Sequence, residues 1–327
     1  MDYVKLGRTG VDVSRLCLGC MSFGDPGWTV HPWVLDRDAS MPFFERAVSA
    51  GINFFDTADM YSQGVSEEIT GAAVRRLLPR REAVIATKLG LPMGTGPNSA
   101  GLSRKRIADC VEASLDRLGT DYIDLLYIHR LDHETPMEEI VEGLADVVGQ
   151  GMVRYLGASS MFAWQFAKLR EMQRAVGCPP FAVMQNFYNL LYREEEREMI
   201  PYCRSEGVAV VPWSPLARGF LAGNTPKQGE ATRRGASDPR SQEYFGSEAD
   251  YAITAIVAEI AAERGLKPAQ VALAWVLAQP GVTAPIIGAT KMAHLDDAIA
   301  AVSISLSPEE LARLEAPYRP RAVMGHS

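Results

Sequence analysis

The sequence predicts an α/β protein: a (β/α)8 TIM barrel with an N-terminal β-hairpin and a C-terminal helical extension. Three observations lead there. Eight short apolar runs of strand length alternate with stretches of helical periodicity, the pattern of a parallel sheet covered by helices. No shift in composition divides the 327 residues, so one barrel domain over 1–327 is the economical reading. Three successive strand-like runs end on Asp56, Lys88 and His129, at the strand ends where barrels carry active sites. The alternative, an open doubly wound sheet, would show G-x-G-x-x-G after its first strand. Here Gly19 is followed by Cys20-Met21-Ser22-Phe23-Gly24, and Gly94-Thr95-Gly96 lies in a loop with no helix directly after it.

Each element has a local warrant. Residues 3–14 place Gly7-Arg8-Thr9-Gly10 between two apolar runs, which predicts a hairpin. Leu16-Cys17-Leu18-Gly19 reads as the first buried strand, followed by a long loop with Met21, Phe23, Trp28, His31 and Trp33. A helix over 39–50 is predicted by Phe43, Phe44, Ala47 and Val48 on one face and by Gly51 as its stop. The second strand, 53–57, precedes a helix expected to open with Ser66 as N-cap, with Glu67 and Glu68 at its positive end. Strand 83–87 leads through loop 90–101 to a helix from Ser103 that buries Ile107, Val111, Ser114 and Leu118. Strand 122–128 is followed by Thr135-Pro136-Met137-Glu138, read as a capping box with proline at the first helical position. Strands at 153–157, 181–185 and 208–213 alternate with helices at 162–176 and 193–206. Residues 217–249 are rich in Gly, Arg, Ser and Thr and read as a long mobile loop, a length that is usually functional or disordered. Helices at 250–264 and 268–279, an eighth strand at 284–288, a helix at 291–301 and a capped helix from Ser307-Pro308-Glu309-Glu310 complete the pattern.

Composition narrows the function. The formal charge of -7 argues against nucleic acid or an anionic membrane as partner. No apolar run approaches the ~20 residues that span a bilayer, and no basic segment with an apolar core opens the chain, so a cytoplasmic location is expected. The five cysteines, Cys17, Cys20, Cys110, Cys178 and Cys203, are read as reduced thiols. Cys17-x-x-Cys20 has half a zinc spacing, but no second Cys/His pair lies nearby, so no metal is expected.

Taken singly, Asp56 could cap a turn, Tyr61 pack a loop, Lys88 be a solvated strand end and His129 a hydrogen-bonded rim residue. Together they are harder to dismiss, because a buried strand must solvate or pair each such residue. The chemistry of the set is coherent. A phenol is a poor acid at neutral pH. A neighbouring ammonium favours the phenolate and lowers its pKa. A carboxylate would hold that ammonium, and a neutral histidine could orient a carbonyl oxygen beside the phenol. Such a site delivers a proton during carbonyl reduction, and a hydride donor must come from a cofactor. Phe23, Trp28 and Trp33, with Tyr61 and His129, suggest a partly aromatic substrate pocket; the aromatic residues could equally pack loops over the barrel.

With these residues in place, the chain resembles the aldo-keto reductase family, and less closely the potassium-channel beta subunits that share its fold. The resemblance rests on Asp56-x4-Tyr61, Lys88 and His129. It extends over Gly157-Ala158-Ser159-Ser160, Gln185-Asn186-Phe187-Tyr188-Asn189, Trp213-Ser214-Pro215-Leu216-Ala217-Arg218-Gly219 and Gly288-Ala289-Thr290-Lys291. It implies a barrel that binds NADP(H) in an extended form, with NAD(H) as a weaker substitute, and acts on a small carbonyl compound. By the same resemblance Ser159, Ser160 and Gln185 would hold the carboxamide and Trp213 would stack on the nicotinamide. Ser214, Leu216 and Arg218 would line the pyrophosphate path, and Thr290 and Lys291 would meet the 2′-phosphate. Gly19, Met21, Asp56, Pro215, Gly288 and His294 fall on the same cofactor path. Two positions depart from the family pattern: Ser160 replaces an Asn, and His294-Leu295-Asp296-Asp297-Ala298 replaces a segment ending in Glu-Asn. Asp297 could still accept from the adenine amine; Ala298 cannot. A Schiff-base role for Lys88 and a binding module with little turnover are the rival readings.

Overall fold

The computed structural model describes residues 1–224 and 243–326. Strands β1 (Tyr3–Lys5) and β2 (Asp12–Ser14) pair antiparallel, with Tyr3 opposite Ser14. The turn between them carries Gly7 at φ 59, where an added Cβ would lie 2.6 Å from the carbonyl oxygen of Gly207. Only glycine meets both demands. Leu6 and Val13 of this hairpin are fully buried against the barrel interior.

The main sheet has eight parallel strands: β3 (Cys17–Gly19), β4 (Phe54–Asp56), β5 (Val84–Leu89), β6 (Ile123–Ile128), β7 (Val153–Ser159), β8 (Val183–Gln185), β9 (Ala209–Val210) and β10 (Ile286–Ile287). They follow chain order from β3 to β9, with β10 beside β3. Closure comes from the segment before β10. Val210 bridges Val282 in parallel, Thr283 N–H donates to Val210 O at 2.8 Å, and Ile286 N–H donates to Pro212 O at 2.8 Å. The ladder is therefore a closed barrel, the arrangement that leaves no sheet edge.

Register sets the rim. Gly19 lies opposite Asp56, Asp56 opposite Ala86, Lys88 opposite Tyr127, and Ser159 opposite Gln185. All six residues of β5 are buried, Lys88 included, because parallel strands are covered on both faces. The interior is filled by Cys17, Phe54, Val84, Ala86, Leu125, Tyr127, Val183, Ala209, Val211 and Ala284. Gly157 makes room for Tyr127, since a Cβ there would lie 2.6 Å from its ring.

Ten α-helices among the described residues surround the strands. They are α1 (Arg37–Ser49), α2 (Val65–Leu77), α3 (Arg104–Leu118), α4 (Met137–Gly149), α5 (Ala163–Ala175), α6 (Met199–Glu206), α7 (Glu248–Arg264), α8 (Pro268–Ala278), α9 (Met292–Ala301) and α10 (Pro308–Glu315). α3 shows why they form. Ser103 caps it, accepting from Arg106 N–H at 3.2 Å, and Ile107, Val111, Ser114 and Leu118 form its buried face. Burying each large apolar side chain stabilises the fold by roughly 1.5–3 kcal/mol. Ser307 caps α10 as expected, with Glu310 completing the box.

Two caps differ from expectation. α2 begins at Val65, so Ser66 is no cap; its hydroxyl donates to Cys20 O at 2.8 Å and lies 2.9 Å from the Thr57 hydroxyl. The left-handed turn before the helix starts it two residues earlier than a Ser66 cap would, and frees Ser66 to tie α2 to the barrel. Ahead of α4, Pro136 is the N-cap, and the Thr135 hydroxyl donates to Asp132 at 2.5 Å instead of capping. With Pro136 as the N-cap, Thr135 lies one residue outside the helix. Most of the long loop expected over 217–249 lies outside the described residues. Its first part is a 3-10 turn, Ala217–Ala222, with Ala217, Phe220 and Leu221 buried, and its last residues begin α7. No described helix is long and apolar enough to cross a membrane.

Candidate active site

The turn after β4 starts the site. Asp56 ends the strand, and Tyr61 follows in a 3-10 turn at residues 61–64. The Asp59 N–H donates to Lys88 O at 3.1 Å, fixing this turn to β5. The Lys88 ammonium is fully buried and makes three contacts: an ion pair with Asp56, a bond to Thr57 O at 2.7 Å and one to the Tyr61 hydroxyl at 3.2 Å. The second Asp56 oxygen accepts from the Gln185 amide at 2.8 Å. His129, one residue beyond β6, stands edge-on to Tyr61 with ring centroids 5.8 Å apart. Asp56, Tyr61, Lys88 and His129 are thus brought together at one rim.

Burial dominates the electrostatics of this cluster. Burial pushes the Asp56 carboxyl up, and Lys88 and Gln185 pull it back. For Lys88, burial works against the charge, but Asp56 and Tyr61 hold the ammonium up to about 12. Lys88 is therefore charged. Burial raises the Tyr61 phenol above its ordinary value, and the pull of Lys88 only partly offsets it. The neighbouring ammonium alone predicts a net lowering; at this half-buried ring the cost of desolvating the phenolate outweighs it. His129 is driven well below its ordinary value by burial, then by Lys88 and Arg130, and is neutral. Its Nδ1 is buried without a hydrogen-bond partner.

Backbone strain gathers at the same rim. Seven non-glycine residues among those described have positive φ, and all but Asn98 follow β4, β7 or β9: Ser62, Gln63, Ser160, Ser214, Ala217 and Arg218. Such conformations cost about 1–3 kcal/mol each and persist where the surroundings enforce them. Ser160 accepts from the Trp213 indole N–H at 3.0 Å, so its hydroxyl proton can point elsewhere. Ser159 accepts from Arg130 at 3.3 Å. With its amide nitrogen on Asp56, Gln185 presents its carbonyl oxygen as an acceptor. These donors and acceptors suit a carboxamide. Trp213 is half-buried and stacked on Phe187 at 4.3 Å, and the Arg130 guanidinium lies 5.8 Å from its ring.

The other predicted residues are placed as follows. Gly19 abuts β10, where a Cβ would lie 2.6 Å from Ile286. Met21 is half-buried in the short helix at 20–22. Ser214 O accepts from Asn189 at 3.1 Å, Pro215 is buried, and the Leu216 O receives Gly219 N–H at 2.9 Å. Gly288 and Lys291 are exposed and Thr290 is half-exposed. His294 is lowered by partial burial and by Lys291. Asp297 is not idle: both its oxygens accept from Lys267, at 2.7 and 2.9 Å. Phe23 does not line a pocket. It is fully buried against Phe43 and Phe44, with centroids at 5.9 and 5.0 Å, because the loop turns it into the core. Trp28 and Trp33 pack on either side of His31, each at 5.0 Å.

Sequence reasoning missed Arg130, Phe187 and Lys267. Arg130 directly follows His129, and a second cation at that strand end was a readable signal. Phe187 sat inside a quoted motif without a role. Lys267 precedes α8 and carried no signal of its meeting with Asp297.

Residues 15–319 match the Aldo/keto reductase family. The chain is 46% identical to a versiconal hemiacetal acetate reductase of Aspergillus parasiticus, with 99% of this chain and 98% of that protein covered. It is 42% identical to the aldo-keto reductase dtxS3 of Metarhizium robertsii, covering 100% of this chain and 94% of the other. It is also 42% identical to the aldo-keto reductase AMT2 of Alternaria alternata, covering 99% and 94%.

Proposed function

The chain belongs to the aldo/keto reductase family, and from that premise we propose that it reduces an aldehyde or ketone to the alcohol, with NADPH as donor and Tyr61 as proton source. The observation that carries this is the buried Lys88 ammonium, held between Asp56 and the Tyr61 hydroxyl, beside a neutral His129. When bound, the reduced nicotinamide supplies a hydride to the carbonyl carbon. Tyr61 gives its proton to the carbonyl oxygen. Lys88 stabilises the phenolate left behind, and Asp56 keeps Lys88 in place and charged. A neutral imidazole has one ring N–H to donate, which His129 uses to hold the oxygen beside the phenol. The raised phenol suits this role: the proton is present on Tyr61 at neutral pH and leaves only as negative charge builds on the substrate oxygen.

Ser159, Ser160 and Gln185 would hold the carboxamide and Trp213 the ring face. Ser214, Pro215, Leu216 and Arg218 would follow the pyrophosphate. Lys291, with Thr290, supports a preference for the 2′-phosphorylated cofactor, since an exposed cation at the start of α9 attracts an anion. The Aspergillus relative is named for a hemiacetal acetate, a masked carbonyl, which supports the substrate class. Five free buried cysteines fit a reducing, cytoplasmic setting. A Schiff-base role for Lys88 would need a neutral amine, whereas Asp56 and Tyr61 hold it charged.

The test is Tyr61→Phe assayed by NADPH consumption over a panel of aldehydes and ketones. A loss of about 10²–10⁴-fold in kcat is expected, with NADPH affinity nearly intact. Near-normal turnover would remove Tyr61 as the donor.

A further inference from the structure

We infer that the contact between Gly24 and Ser62 positions Tyr61, so that the neck of the aromatic loop 23–35 sets where the proton donor stands. The inference rests on the proposed role of Tyr61. Tyr61 is followed by three consecutive left-handed residues: Ser62 (φ 49, ψ 39), Gln63 (φ 55, ψ 40) and Gly64 (φ 95, ψ -16). Two of these are not glycine, so the turn is held in a conformation its own residues disfavour.

What holds it is visible on both sides. Ser62 is buried, and its Oγ accepts from the Asp25 N–H at 3.2 Å. A Cβ on Gly24 would fall 2.0 Å from Ser62 Oγ and 2.6 Å from Ser62 Cβ. Gly24 cannot retreat freely, because its N–H donates to Leu35 O and Leu35 N–H donates to Ser22 O, both at 2.8 Å, with Phe23 bridged to Leu35. These bonds make a neck through which the loop with Trp28, His31 and Trp33 leaves the rim. On the other side, a Cβ on Gly64 would lie 2.5 Å from Arg117 Cδ. Arg117 holds one oxygen of the buried Glu67 at 2.6 Å, and the other oxygen takes the Thr87 hydroxyl at 2.5 Å, one residue before Lys88. The turn after Tyr61 is therefore clamped between the loop neck and a buried ion pair that ends beside Lys88.

A plain tight connection from β4 to α2 could be made with glycine and would need neither a buried serine nor a glycine facing it. The fit between residues 24 and 62 is what a position-setting contact requires. Ser62 touches neither cofactor nor reacting atoms in this reading, so it is a positioning residue. A misplacement of about 1 Å at a reacting group can cost on the order of 10²-fold in rate.

The experiment compares Gly24→Ala, Ser62→Gly and the double variant, with 4-nitrobenzaldehyde as the probe carbonyl. It reads kcat, the solvent isotope effect on kcat, NADPH affinity and thermal stability. Gly24→Ala should lower kcat by about tenfold or more and enlarge the solvent isotope effect, with NADPH affinity unchanged. Adding Ser62→Gly should restore kcat to that of the single Ser62→Gly protein, because glycine accepts the left-handed backbone and removes the atoms the new methyl strikes. Unchanged kcat in a folded Gly24→Ala protein would overturn the inference, as would a folded double variant as slow as Gly24→Ala. If Gly24→Ala does not fold, Ser62→Gly alone decides. It should lower kcat about threefold, a small displacement on the same scale, with a larger isotope effect; no change in either overturns the inference. Tyr61→Phe is run in parallel. An active Tyr61→Phe defeats the donor reading itself, whereas an inactive one beside an unaffected Gly24→Ala defeats the positioning alone.

Discussion

Replacing Asp59 with Asn should stabilise the protein at pH 8, by an amount that shrinks as the pH falls. Asp59 lies between Asp56 and Tyr61 and is almost fully buried. One of its oxygens has no hydrogen-bond partner; the other is 3.9 Å from Arg106 and 3.7 Å from the Cys110 thiol. Arg106 likewise has Nε and the terminal nitrogen facing Asp59 buried without hydrogen-bond partners. Burial, and then the like charge of Glu67, push the Asp59 carboxyl from 3.8 up to about 7. The sign follows from linkage. A folded state that raises a carboxyl pKa binds the extra proton between the unfolded and folded values, so stability falls as pH rises through that window. A rise of about three pH units at 1.36 kcal/mol each gives a ceiling of about 4 kcal/mol lost above pH 7. Asparagine resembles the protonated acid and escapes that loss. Melting temperatures of both proteins from pH 5 to 8.5 measure it. The advantage of Asp59→Asn should grow between pH 5 and 7 and then stay level. A well-formed buried ion pair predicts the reverse, a loss of about 3–5 kcal/mol on removing one partner. A less stable Asp59→Asn protein at pH 8, or a difference that ignores pH, would refute the reasoning.

Lys88→Met should cripple reduction and move the basic limb of the residual pH profile upward, because the phenol, already raised by burial, loses the ammonium that offsets it; an unmoved limb removes the tuning role. Trp213→Ala should abolish much of the tryptophan quenching that NADPH produces, whereas identical quenching in the variant would leave Trp213 as a rim residue packed on Phe187. Lys291→Ala should raise the KM for NADPH with little change for NADH, and the gap should narrow as salt rises, since exposed charges are screened; equal losses for both cofactors would show that Lys291 does not read the phosphate.

The barrel was legible because its signals are local and repeated. Eight buried runs alternate with helical periods, and polar residues at the ends of three runs marked the rim. Where reasoning failed, long-range contacts decided. Ser66 looks like a cap from its neighbours, but Cys20 and Thr57, distant in sequence, claim its hydroxyl. Phe23 reads as a pocket aromatic until Phe43 and Phe44 take it into the core. The direction of the Tyr61 shift could not be read from a list of charges, because burial outweighs the adjacent ammonium. Asp297 shows the same limit: its partner Lys267 lies 30 residues earlier and reaches it only through the packing of α8 on α9.

The two ends of the proposed cofactor path are built on different physics, and this orders the expected effects of substitution. At the proposed reacting end, Asp56, Lys88 and His129 are buried, the backbone at Ser62, Ser160 and Ser214 is strained, and Asp56 is bonded to both Lys88 and Gln185. Such a site acts by fixed geometry in a dry environment, where electrostatic effects are large and salt reaches poorly. Damage there should fall on kcat. At the far end, Lys291 and His294 are exposed, and the half-exposed Asp297 is tied to Lys267. Interactions there are screened, and a lysine offers charge without the directional fork of an arginine. Damage should fall on KM and on its salt dependence. A cofactor preference carried by the second end can therefore drift by single substitutions without disturbing the first, whereas the donor site tolerates change only when its clamps change together.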